Sequence, residues 1–134
     1  MKYMLLMQFS EAQTTQFPPI GTWPAEDLKA HIAFMVKTNQ ELAAAGELAD
    51  AQGLAMPETA RIVRSRSGGA PVVTEGPFPA TKEFLAGYWI VEVESPERAI
   101  EIAAHVSTAP GLGGKPLNMP IEVREIMSAP PMEH

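Results

Sequence analysis

The sequence predicts an α+β domain of ferredoxin-like organisation, with two helices on one face of a sheet. Three observations carry this prediction. Tyr3 to Phe9 and Leu85 to Val93 are short runs that are apolar on both alternating faces, as strands covered on two sides must be. Thr22 to Pro24 and Ser95-Pro96-Glu97 are helix starts, each followed by apolar residues at helical spacing. Connections rich in glycine and proline separate these segments in the order strand, helix, hairpin, strand, helix, strand.

The opening run, Tyr3/Leu5/Met7/Phe9 on one face and Met4/Leu6 on the other, is the first strand. Ser10 to Thr22, with Pro18, Pro19 and Gly21, reads as a loop. A helix then runs from about residue 24 to 45, with Thr22 as the capping hydroxyl and Glu26 and Asp27 complementing the dipole. Its buried stripe is Leu28, Ile32, Met35, Val36, Leu42 and Ala43, and Gly46 stops it. After a loop that holds Asp50 and continues around Gly53 to Pro57, Ala60–Arg64 and Pro71–Thr74 pair across Ser67-Gly68-Gly69 as a hairpin.

The bend TEGPFPATKE leads into the most strand-prone run, LAGYWIVEV. Ser95 caps the second helix, which buries Ala99, Ile102, Ala103 and Val106 and ends near His105. APGLGGKPLNMP connects it to a last strand, Ile121 to Ile126. One domain over 1–127 and a frayed tail over 128–134 are expected. Strands apolar on both faces, with only two helices to cover them, predict a second subunit on the open face and hence a homodimer packed sheet to sheet.

Composition narrows the function classes. With 46% hydrophobic and 19% charged residues the chain lies in the globular range. Ten basic against sixteen acidic residues give a formal charge of -6, which repels a phosphate backbone, so no nucleic-acid partner is expected. Arg61, Arg64 and Arg66 read as a solvated strand end. The absence of cysteine removes disulfides and thiolate chemistry and suits a reducing compartment. The run MKYMLLMQFS, broken by Gln8, is too short for a signal core, and no apolar segment is long enough to span a bilayer. No membrane partner and a cytoplasmic location are therefore expected.

Three histidines without clustered carboxylates predict no metal site. GLGGKP fails the phosphate-loop pattern, because Ala109 stands at the first glycine and Pro116 follows Lys115. No GxGxxG follows a strand, and no cofactor is expected.

The segment TEGPFPATKEFLAGYWIVEVES resembles the DGPF branch of the YCII-related proteins, which show Asp-Gly-Pro-Phe followed by Thr-Lys-Glu and a glycine–aromatic strand. KYMLLM, ELAAAGELADAQGL and IEVREI extend the resemblance over nearly the whole chain. It implies a dimeric α+β barrel of ferredoxin-like subunits, and a genomic association with extracytoplasmic-function sigma factors. Glu75 replaces the usual Asp, and Ala80 replaces the acid before Thr-Lys-Glu. The His–Asp pair of the YCII branch falls at about Met35 and Ala44, so that dyad is not carried over.

Gly76-Pro77-Phe78-Pro79 reads first as a stiff turn with Phe78 as its apolar anchor. Its functional reading places Glu75, Thr81, Lys82 and Glu83 at the mouth of a cavity, with Lys82 foremost. His31 lies one helical turn after Asp27, either as a solvated pair or as an imidazole oriented for general base work. His105 reads as a helix-end cation and Asp50 as a turn residue or a site carboxylate. Glu122 and Arg124 share one strand face and read as ion-pairing groups, with each other or across the dimer. Tyr88 and Trp89 point to opposite faces, one into the core and the other toward the intersubunit space.

Two functions follow. One is an enzyme or binder of a small molecule in a cleft of the dimer, with Lys82, Glu83, His31 and Asp50 as catalytic candidates and Glu75, Phe78, Thr81 and Tyr88 as binding candidates. The other is a non-catalytic regulatory or interaction protein, linked to sigma-factor-dependent transcription.

Overall fold

The computed structural model describes residues 1–10, 20–76 and 83–127. The side chains of Phe9, Ser10 and Glu83 are outside that description, as are the expected tail and residues 77–82 of the bend. The elements are β1 (Lys2–Ser10), α1 (Ala25–Ala44), β2 (Leu48–Gly53), β3 (Arg61–Arg64), β4 (Val72–Glu75), β5 (Glu83–Glu92), α2 (Pro96–Ser107) and β6 (Ile121–Glu125).

The main sheet has the order β2-β5-β1-β6, with every neighbouring pair antiparallel. The two strands with apolar residues on both faces therefore take the centre. Leu5 and Val91 of those strands have no solvent exposure. Leu42 of α1 and Ala99, Ile102, Ala103 and Val106 of α2 pack against Tyr3, Leu5, Trp89 and Val91, so both helices cover the same sheet face. This α+β layering is compatible with a ferredoxin-like subunit.

β2 corrects the sequence reading, which places Asp50 and the residues around Gly53 in a loop after the first helix and expects no strand there. LADAQG has little strand propensity, yet it pairs with β5 from Leu48↔Val91 to Gly53↔Gly87. Gly87 makes the approach possible, because a Cβ there would stand 2.9 Å from the Gln52 carbonyl oxygen. The hairpin forms as expected, Arg61↔Glu75 to Arg64↔Val72, but as a separate two-stranded sheet.

α2 follows its sequence signals closely. Ser95 Oγ accepts from the Arg98 amide at 3.2 Å, Pro96 opens the first turn, and the four expected apolar residues are the buried ones. α1 departs from them at both its start and its face. Its N-cap position is Pro24 rather than Thr22, without a side-chain cap. Ile32 and Val36 are 52% and 49% exposed, while Thr38 and Leu42 are buried. The inward face is the stripe His31, Met35, Thr38, Asn39 and Leu42, of which Thr38 and Leu42 are buried and the other three half-buried. Gly46 terminates the helix at φ 74°, a conformation that suits glycine.

A smaller cluster of Trp23, Ala109 and Leu117, with Phe34, Met35, Leu112 and Met119 against it, closes one end of the helix layer. No helix among the described residues is long and apolar enough to cross a membrane.

Candidate functional site

A cavity of about 410 Å³ lies between α1 and the helix-side face of the sheet, toward the β2 edge. α1 contributes His31, Met35 and Asn39, spaced so that all three share one face. β5 contributes the floor from Phe84 to Trp89, and Trp23, Leu117 and Met119 close the far side. Ile20, Leu54 and Met56 also line it and are 40%, 46% and 43% exposed, which makes them its rim. The rest of the lining is dominated by apolar side chains, as small-molecule sites generally are.

On the α1 side of this wall two polar side chains, His31 and Asn39, are fixed by the protein. His31 Nδ1 lies 3.0 Å from the Pro110 carbonyl oxygen. A carbonyl only accepts, so Nδ1 carries a proton, and in the neutral form of the ring Nε2 is the acceptor. The ring also meets Trp23 edge-on, with centroids 5.6 Å apart. Asn39 Oδ1 accepts from Trp89 Nε1 at 2.9 Å, which orients the amide and leaves its NH₂ as a donor. Both groups are thus held before any ligand arrives, the condition for a preorganised site.

Of the predicted site residues, His31 lines the cavity from α1, and Tyr88 borders it as a residue of β5 while its side chain stands on the opposite sheet face. The expected Asp27–His31 pair does not form: Asp27 Oδ2 accepts instead from the Gly113 amide at 3.2 Å. Tyr88 donates its hydroxyl to Asp50 Oδ2 at 3.1 Å, and Gln52 Nε2 donates to Asp50 Oδ1 at 3.2 Å. This hydrogen bond, with burial and the carboxylate charge, raises the Tyr88 pKa above 10.0. Asp50 is therefore a strand residue rather than a turn residue, and it does not line the cavity.

Register explains the separation. Tyr88 stands opposite Leu6 and Gln52, and Ile90 opposite Met4 and Asp50, on the sheet face away from the helices. Trp89 is the core partner, 4% exposed. Glu75 is exposed on β4 opposite Arg61. Glu83 opens β5 opposite Ser10, and Phe78, Thr81 and Lys82 lie outside the described residues.

His105 does more than end its helix. Its Nε2 is 3.3 Å from Thr38 Oγ1, and its ring stacks on Phe34 with centroids 4.9 Å apart, tying α2 to α1. Glu122 and Arg124 form the expected pair at 3.6 Å. Elsewhere Arg98 grips Glu47 with two 2.8 Å bonds, which hold the Glu47 carboxyl below its usual range and raise the Arg98 guanidinium. Sequence reasoning missed Asn39, Met35 and Trp23 as site residues. The available signal was polarity at helical spacing, His31 and Asn39 eight residues apart with Met35 between them.

A family model for the YCII-related domain matches residues 1–113. An uncharacterized protein of Rhizobium meliloti (strain 1021) is similar, at 28% identity over 109 residues that cover 81% of this chain and 82% of that protein. The match spans β1 through the connection after α2, which contains most of the cavity wall. The chain belongs to the YCII-related domain family.

Proposed function

We propose that this protein binds a small, largely apolar molecule in the cavity beneath α1, with His31 as the group able to exchange a proton with it. The observation that carries this reading is the pair His31 and Asn39, each locked through one polar atom and set in an apolar wall. A cavity of this size falls within the roughly 300–1,000 Å³ of pockets that enclose small ligands. Lys82 and Glu83, the charged residues next in sequence to the lining residue Phe84, are the companion candidates for polar work.

The protein is also proposed to act as a homodimer, sheet against sheet, in a dimeric α+β barrel. Met4, Leu6, Tyr88 and Ile90 form a half-buried centre on the sheet face that the described helices leave open. Covering such a face with a second copy is the economical solution for a chain of this size.

Both tryptophans of the chain line the cavity, so their emission reports its occupancy. Titration with the uncharged dye N-phenyl-1-naphthylamine should give saturable one-to-one quenching, and Ala51→Phe, which fills the cavity from β2, should weaken it at least tenfold. Absence of saturable binding would discard the cavity reading and leave the non-catalytic interaction role.

A further inference from the structure

We infer that the ligand of this cavity is an uncharged aromatic molecule bearing a hydroxyl group, which donates to His31 Nε2, and carrying a second oxygen that accepts from Asn39 Nδ2. The inference rests on the binding reading above and specifies what that site selects.

Charge is the first argument. The chain has ten basic and sixteen acidic residues, yet the described residues lining the cavity include no Lys, Arg, Asp or Glu. An ionised ligand would leave water for an apolar wall in which the described residues offer no opposite charge, which is strongly unfavourable. Asp50, the nearest acid in sequence to the lining residue Ala51, is turned away and occupied by Tyr88 and Gln52.

The second argument is the wall itself. Trp23, Phe84 and Trp89 provide flat faces, and Met7, Met35 and Met119 provide polarizable thioethers. Aromatic rings pack favourably on both, edge to face or beside sulfur.

The third argument is the valence left on the two polar groups. Pro110 uses the His31 Nδ1 proton, so the neutral ring can only accept at Nε2. Trp89 holds Asn39 Oδ1, which fixes the amide's orientation and leaves its NH₂ as the donor, so a ligand oxygen is the group that suits it. One position therefore asks for a donor and the other for an acceptor. His31 and Asn39 are eight residues apart on α1, about 12 Å along the axis at ~1.5 Å per residue. A ligand serving both is elongated, with a ring hydroxyl toward one end and an oxygen toward the other.

The test compares four molecules of one shape by calorimetry on the full chain: biphenyl, 4-hydroxybiphenyl, biphenyl-4-carboxylate and the ammonium form of 4-aminomethylbiphenyl. The expected order is 4-hydroxybiphenyl tightest, biphenyl about tenfold weaker, in line with one added hydrogen bond, and both ions weaker than biphenyl. His31→Phe should bind biphenyl and 4-hydroxybiphenyl alike, and if that variant does not fold, the wild-type order decides. Equal or tighter binding of either ion, or equal binding of biphenyl and 4-hydroxybiphenyl by the wild type, overturns the inference while leaving a functioning cavity. Failure of all four to bind overturns the cavity reading as well.

Discussion

Trp89 Nε1 donates to Asn39 Oδ1 at 2.9 Å, joining the central strand of the sheet to the inward face of α1 across the cavity wall. The bond has two consequences at once. It satisfies an indole N–H on a side chain only 4% exposed, and it turns the Asn39 amide into a fixed donor.

Asn39→Ala should therefore cost stability and binding together. Leaving the indole N–H without its partner costs about 1–3 kcal/mol, measurable as a lower urea midpoint at unchanged slope. Asn39→Asp keeps an acceptor for Trp89 and should recover part of that stability without restoring the donor to the ligand. Full stability of Asn39→Ala would show that the bond contributes nothing in solution.

Gly87→Ala tests the attachment of β2. The new Cβ would sit 2.9 Å from the Gln52 backbone oxygen, and neither backbone can move without disturbing the β2–β5 ladder. A loss of roughly 1–3 kcal/mol is expected, typical of overpacking, with faster amide exchange concentrated in residues 48–53. Exchange that rises uniformly over the sheet would contradict this local account.

The Arg98–Glu47 pair predicts an acid-dependent term in stability. Its two bonds place the folded carboxyl below its ordinary value of 4.5, so the folded state holds this proton less tightly than the unfolded chain. The stabilisation is present in full above pH 4.5 and fades as pH falls through the folded value. Because Arg98 is 41% exposed, about 1 kcal/mol is the appropriate scale. Arg98→Ala should trail the wild type by that amount at pH 7, and the gap should narrow as pH falls below 4.5 in denaturant melts.

Both tyrosines of the chain should ionise late. Burial comes first for Tyr3, with the Glu125 and Glu97 charges adding to it. The Asp50 hydrogen bond comes first for Tyr88. An ultraviolet titration should place both above 10.0, and Asp50→Asn should move one transition down while leaving the other in place. Two transitions that ignore Asp50→Asn would refute the assignment.

The dimer proposal is checked by mass. Light scattering at micromolar concentration should give twice the chain mass of 14.5 kDa, and Leu6→Lys, on the open sheet face opposite Tyr88, should yield a folded monomer. A monomeric wild type would remove the proposal.

Much of the fold was legible because its signals are local. The Ser95 cap, Pro96 and the apolar residues of α2 lie within a few residues of one another, and each acts through its own turn. α1 was misread for a related reason. Its outward residues Ile32 and Val36 are more hydrophobic than its inward His31, Thr38 and Asn39, whose polar atoms are satisfied by Pro110, His105 and Trp89. A stripe chosen by hydrophobicity alone is rotated away from such a face, and departures of this kind are expected where a site is built.

What the sequence by itself determined is the set of segments and their classes: two strands apolar on both faces, two helices, a glycine hairpin, and the YCII-related signature. The tertiary structure alone decided three further matters: that LADAQG is an edge strand, that Asp50 and Tyr88 meet behind the sheet, and that His31 and Asn39 face a common cavity. The reason is physical. Caps and stripes are written in neighbouring residues, whereas β2 exists only because Gly87, more than thirty residues later, lets it approach. The site is likewise polar only after partners distant in sequence have claimed one atom each of His31 and Asn39.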